Sequence, residues 1–196
     1  MTKSSKAWLR RHVTDPYVKK ARAEGYRSRA AFKLLELDFR EKLFRPGQTI
    51  VDLGAAPGGW SQVAAAKVKP GGRVIAIDVL DIAPIFGVTV HKGDFRQIAL
   101  ETQADVVLSD LSPNLSGIPN VDQARSFELA EGAVELCRKM LKPDGVFVIK
   151  AFHGEAFDAL MKRLKAAFAK VKVVKPSASR GESAETYVVA RGVRAL

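Results

Sequence analysis

Apolar residues fall along this chain in two alternating patterns. Short, nearly continuous apolar runs, read as strands, lie near 49–53, 73–77, 88–90, 105–109, 145–151, 170–175 and 186–191. Between several of them the apolar positions recur at helical spacing, predicting helices near 60–67, 96–100, 122–141 and 154–168. Upstream, Tyr17, Val18 and Ala21 keep helical spacing, as do Ala30, Ala31, Leu34 and Leu35. Gly25 divides these two helices, and the second is expected over about 28–39. Arg45-Pro46-Gly47 is a turn signal leading into the first strand. Alternating elements with mostly apolar strands imply a parallel sheet covered by helices on both faces. The last two strands are joined by a polar loop with no helix, so they are expected to pair as a hairpin. The expected fold is therefore α/β, a seven-stranded and mostly parallel sheet with one antiparallel strand.

The first strand runs into Asp52-Leu53-Gly54-Ala55-Ala56-Pro57-Gly58-Gly59-Trp60 and then into the predicted helix. A strand, a glycine turn and a helix start place free backbone N–H groups beside a surface that a ligand can approach closely. A dinucleotide-binding turn would read G-x-G-x-x-G, but Ala56 occupies its second glycine. A phosphate-binding P-loop would need a lysine after its last glycine, and none follows Gly59. The remaining pattern, D-x-G-x-x-x-G, is similar to that of Rossmann-like S-adenosyl-L-methionine-dependent methyltransferases. Asp78 ends the next apolar run, 20 residues beyond Gly58, where a carboxylate suits the two hydroxyls of a nucleoside ribose. An ordinary tight turn of an α/β protein is the plainer alternative.

Charge changes the picture. The chain has 196 residues and a net charge of +11, and residues 1–45 carry 13 Lys/Arg against 5 Asp/Glu. Such a concentrated field attracts a polyanion, so nucleic acid is the expected partner rather than a small anionic substrate alone. A basic tail kept for solubility is the competing reading. Arg10, Arg11, Lys19, Lys20, Arg27 and Arg29 are the candidate RNA contacts. The expected organisation is a basic helical extension over 1–45 and a methyltransferase unit over 46–196, packed as one structural unit. No apolar run approaches the roughly 20 residues of a membrane span, and the first residues lack a secretory core. Cys137, the single cysteine, is expected to be a buried structural thiol. A cytoplasmic protein follows. His12, His91 and His153 show no metal-ligand spacing, so no metal is expected.

Polar residues at the ends of the predicted strands converge where ligands gather in such sheets. They are Asp52, Asp78, Asp94 after the third strand, Asp110 in Ser109-Asp110-Leu111-Ser112-Pro113-Asn114, and Lys150 in Val148-Ile149-Lys150-Ala151-Phe152. Asp94 is placed to accept from an adenine amine. With Arg27-Ser28-Arg29-Ala30-Ala31-Phe32-Lys33-Leu34 and Glu185-Thr186-Tyr187-Val188-Val189-Ala190, these segments resemble the FtsJ/RrmJ family of 23S ribosomal RNA (uridine-2′-O-)-methyltransferases over nearly the whole chain. The resemblance implies a catalytic set of Lys33, Asp110, Lys150 and Glu185, with Lys150 as proton acceptor. It implies cofactor contacts at Gly58, Trp60, Asp78, Asp94 and Asp110. It also implies methyl transfer to a ribose 2′-hydroxyl, on a uridine of 23S ribosomal RNA in the large subunit; a monomer without an obligate protein partner is expected.

Alternatives stay open on sequence alone. Lys150 either accepts the hydroxyl proton or steers the developing alkoxide as a cation. Lys33 and Glu185 taken singly read as surface charges, Asp110 with Lys150 as a plain ion pair, and Trp60 as helix packing. Methylation of another RNA such as tRNA, a non-catalytic ribosome-assembly factor, and a nicotinamide oxidoreductase are the competing functions. The last is disfavoured by the glycine spacing.

Overall fold

The computed structural model describes residues 14–113, 116–179 and 183–194. Seven strands form one sheet: β1 (Thr49–Leu53), β2 (Arg73–Asp78), β3 (Val88–Lys92), β4 (Ala104–Ser109), β5 (Leu141–Phe152), β6 (Phe168–Val174) and β7 (Glu185–Val193). Their order is β3-β2-β1-β4-β5-β7-β6. Every neighbouring pair is parallel except those involving β7, which runs antiparallel to both β5 and β6. The expected hairpin forms, with β7 inserted between its partner β6 and the parallel strands.

Strand alternation divides the core. Ile50, Val106, Leu108, Val148 and Val189 face the helix over Ala30–Glu41 and the helix that follows the glycine turn, whereas Val51, Leu53, Val107, Phe147 and Ile149 face the opposite layer. The N-terminal helices are α1 (Pro16–Ala23) and α2 (Ala30–Glu41), and the glycine-turn helix is α3 (Gly59–Lys67). The opposite layer is α4 (Pro119–Met140) and α5 (Glu155–Ala167). Asp15 caps α1 by accepting from the Tyr17 N–H at 3.0 Å, and Pro16 occupies the first turn where no donor is needed. α2 is part of the main sandwich: Ala31, Leu34 and Leu37 are fully buried with Ile50, Trp60 and Val106. Cys137 is buried in α4, and burial pushes its thiol well above the usual value.

One predicted element is absent. Residues 96–100 form no helix; Phe95–Gln97 make a turn and Ile98–Leu100 continue without regular structure. Five residues are too few to repay helix nucleation. Instead the Asp94 carboxylate accepts from the Arg96 N–H at 3.0 Å, and Phe95 is buried in the α4 layer. β5 also begins earlier than the apolar run suggests, with a register irregularity between Ala104 and Val106.

Leu34 has no exposed surface, while Phe39 on the same helix is 74% exposed. Leu34→Ala should cost about 2–5 kcal/mol in urea unfolding. Phe39→Ala should change stability by less than about 0.5 kcal/mol.

Candidate active site

Two cavities lie at the carboxyl end of the sheet, and Leu111 belongs to the wall of both. The first, about 370 Å³, sits where the strand order reverses between β1 and β4. Its floor is the turn after β1. Gly54 there has φ +73°, and a Cβ would meet Leu111 side chain and backbone at 2.9–3.1 Å. No side chain fits, so the backbone stays open to a ligand.

Asp78 ends β2 on the wall of this cavity. Its Oδ2 accepts from the Ala56 N–H and its Oδ1 from the Leu80 N–H, both at 2.8 Å. Each oxygen keeps a second lone pair, which is the acceptor pattern that neighbouring ribose hydroxyls require. Apolar Ile77, Phe95 and Leu111 complete a slot suited to a nucleoside. Asp94 also lines it, but both of its oxygens are held by Arg96, the shortest contact being 2.6 Å. Those hydrogen bonds hold the Asp94 carboxyl below its usual value. The donor set and shape therefore fit a nucleoside cofactor such as S-adenosyl-L-methionine, with Asp78 on the ribose.

Two other expected cofactor contacts, Gly58 and Trp60, are not in the wall of this cavity. Gly58 opens α3 at φ +108°, but the space beside it is taken by Ile85 and Arg27, away from the cavity wall. Trp60 is buried, donating its ring N–H to the Ala30 carbonyl at 2.8 Å and packing 5.5 Å from the Tyr187 ring. Its side chain joins α2 to α3, because an indole at the inner face of a short helix is worth more in the core than at a polar site. Asp52, behind the turn, is fully buried and accepts from the Ser61 hydroxyl at 2.6 Å. Burial raises its carboxyl to about 7, with the Asp110 and Asp78 charges adding to the rise.

Lys33, Asp110, Lys150 and Glu185 come from α2, the end of β4, β5 and β7, and the structure brings all four together. Antiparallel pairing sets Tyr187 opposite Lys150 and Glu185 opposite Phe152. Glu185 and Tyr187, two residues apart, share the face toward α2. There the Lys33 Nζ lies 2.6 Å from Glu185 and 3.4 Å from the Tyr187 hydroxyl. The Tyr187 hydroxyl donates to Asp110 Oδ1 at 3.0 Å. Lys150 Nζ donates to the Asp110 carbonyl at 2.8 Å and lies 3.3 Å from Oδ1. The result is one connected polar chain. Burial alone would raise the Glu185 carboxyl, but Lys33, a hydrogen bond from Ser179 and the more distant Lys150 hold it below its usual value. Burial, then the charges of Asp110 and Glu185, push the Tyr187 phenol well up, so it stays a neutral donor. Tyr187 escaped the sequence reading; its signal was the period of two from Glu185.

The candidate RNA residues divide. Arg10 and Arg11 lie outside the described residues. Lys19 and Lys20 are exposed on α1. Arg27 and Arg29 are both engaged within the chain. Arg27 donates to the carbonyls of Pro57, Ala83 and Pro84, the latter two at 2.6 and 2.7 Å. Arg29 pairs with Asp15 and the Ala178 carbonyl. Both are internal staples, since a guanidinium near a loop finds backbone carbonyls as readily as phosphates. Among the described residues, no cluster of His, Cys, Asp or Glu is placed to hold a metal ion.

A cofactor-sized cavity at the switch point of this sheet, bordered by the polar chain, defines a Rossmann-like methyltransferase. The chain belongs to the FtsJ-like methyltransferase family, whose model matches residues 26–193. It is 49% identical to "Ribosomal RNA large subunit methyltransferase E" of Nitrosospira multiformis over 202 residues, covering 98% of each chain. The protein of the same name from Legionella pneumophila (strain Corby) is 49% identical over 200 residues, covering 97% of each. A solved Plasmodium falciparum structure, described as of a ribosomal RNA methyltransferase, superposes with a TM-score of 0.75 at 27% identity, covering 86% of this chain and 98% of that one. The N-methyltransferase NodS of Bradyrhizobium japonicum, solved with S-adenosyl-L-homocysteine, shares the fold at a TM-score of 0.58 and 16% identity, over 91% of this chain and 89% of its own.

Asp52 makes stability pH-dependent in a defined direction. Between about pH 4 and pH 7 the folded chain holds a proton on Asp52 that the unfolded chain has released, so this residue's share of stability falls as pH rises. The loss is at most of the order of 4 kcal/mol, and it levels off above pH 7. Asp52→Asn should remove that decline, so denaturation midpoints measured from pH 5 to pH 8 should converge toward or cross those of the wild type as pH rises.

Proposed function

We propose that this chain methylates a ribose 2′-hydroxyl of RNA using S-adenosyl-L-methionine, its target being a uridine of 23S ribosomal RNA in the large subunit. The observation that carries the reading is the position of Asp110 and Lys150. Asp110 lines the nucleoside-shaped cavity, Lys150 lines the second one, and the two side chains touch. A cofactor on one side and a substrate nucleotide on the other would meet at that pair. The names of the bacterial relatives support ribosomal RNA as the substrate.

When bound, with Asp78 and Asp110 in the wall that would hold it, the cofactor would supply an electrophilic methyl group to the ribose oxygen, whose proton must then leave. The residues here must hold that hydroxyl in line and accommodate its charge. Alignment of this kind is worth up to roughly 7–11 kcal/mol. Lys150 is the group at the hydroxyl, held by two contacts to Asp110. Lys33 and Glu185 neutralise one another and, through Tyr187, fix the orientation of Asp110. Lys150 acts as proton acceptor, or as a cation for the alkoxide with the proton passing to solvent. A monomer working in the cytoplasm completes the proposal. Residues 1–45 serve as the basic RNA-binding extension, with α2 also contributing Lys33.

Lys150→Ala should lower methyl transfer by several orders of magnitude, reducing kcat and kcat/KM together, while S-adenosylhomocysteine affinity in calorimetry stays unchanged. Substantial activity in Lys150→Arg, whose guanidinium stays protonated, would select the steering role over the base. Unimpaired Lys150→Ala would remove the proposed reaction.

Alanine at Arg10, Arg11, Lys19 and Lys20 should weaken RNA binding and flatten its salt dependence. Each lost phosphate contact should lower the log–log slope by about 0.7 for single strands. An unchanged slope would make the segment a solubility tail.

A further inference from the structure

Arg96 lines the cofactor cavity and grips one of its carboxylates. The grip is asymmetric. Asp94 Oδ1 accepts from the Arg96 backbone N–H and from Nε, both at 3.0 Å. Oδ2 accepts from Nη2 at 2.6 Å, and the Nε shared with Oδ1 lies 3.1 Å away. A carboxylate oxygen has two lone pairs, so Oδ1 is filled by one residue while Oδ2 can take one more donor. The two-pronged fork also fixes the plane of the carboxylate. Arg96 is itself seated on α4. Its Nη1 lies 3.1 Å from Glu128 Oε1. One turn further along, a Cβ at Gly132 would meet the Arg96 stem and the Phe95 ring at 3.4 Å, so the glycine leaves the stem its place. Glu128 and Gly132, four positions apart, share one face of the helix.

The strand order says which part of a cofactor would stand at Asp94. Along β3-β2-β1-β4 the strand ends present Asp94, Asp78, the Gly54 turn and Asp110 in that order. With a ribose on Asp78 and the reacting methyl toward Asp110 and Lys150, the base extends the other way. Resting on the function proposed above, we propose that Arg96 is a positioning residue for cofactor selectivity. It holds Asp94 so that Oδ2 accepts from the exocyclic amine of adenine and repels a base that carries a carbonyl there. Arg96 touches no reacting atom and acts only through Asp94. Asp94 is partly exposed, and without the fork its carboxylate would turn toward water. A lysine would keep the charge but lose the fork.

The test is calorimetry on the full chain with S-adenosylhomocysteine and with S-inosylhomocysteine, whose base bears a carbonyl in place of the amine. Binding of S-adenosylhomocysteine by the wild type is measured first; its absence would overturn the function on which this inference rests. The wild type should then prefer the adenosyl ligand by at least about tenfold, the worth of one hydrogen bond to a charged acceptor. Arg96→Ala should bring that ratio close to one, weakening the adenosyl ligand about tenfold and leaving the inosyl ligand unchanged. Arg96→Lys should stay several-fold below the wild-type ratio. Equal weakening of both ligands in Arg96→Ala would make Arg96 a structural support alone. Unchanged or tighter adenosyl binding would make it a competitor for Asp94, and full recovery of the ratio by lysine would leave the fork without a role. Each of these results, or a wild type that binds both ligands alike, would overturn the proposal while leaving the methyltransferase assignment standing.

Discussion

The site depends on the antiparallel insertion of β7 beside β5. Because the two strands run in opposite directions, the start of β7 meets the end of β5, and Glu185 and Tyr187 arrive next to Lys150. A parallel strand in that position would bring its own start to the far end of the sheet. The pairing places an acid and a phenol at the carboxyl end, where the other strands deliver Asp78 and Asp110.

Tyr187 joins the two halves of the polar chain. Its ring is fully buried against Trp60, and its hydroxyl reaches Asp110 on one side and Lys33 on the other. A buried hydroxyl must find partners, and charged ones bind it more strongly than neutral ones. Packing and polar geometry are thus coupled: Trp60 and Leu34 hold the ring and the helix that aim the lysine. Glycine turn, helix α3 and the loop at Ala83–Pro84 are coupled in the same way through Arg27. The N-terminal segment consequently contributes to the shape of the cofactor region as well as to charge.

Much of the architecture was legible in the chain. Strand and helix patterns carried the seven strands and the hairpin, because apolar alternation records which faces are buried. The short stretch 96–100 misled, since five residues cannot nucleate a helix against the pull of Phe95 into the core. Spacing of the glycines and of Asp78 disclosed the nucleoside cavity, and strand-end polarity disclosed Asp110 and Lys150.

What the sequence determined was which residues stand at strand ends and what chemistry they bring. Tertiary structure alone decided which of them meet. Lys33 and Glu185 lie 152 positions apart, yet they form a 2.6 Å pair because α2 covers the face on which β7 presents its odd-numbered residues. Structure alone also turned Trp60 inward and spent Arg27 and Arg29 on backbone carbonyls and an acid. A side chain's type states what it is able to bond, whereas its partner is chosen by whatever the fold leaves unsatisfied within reach.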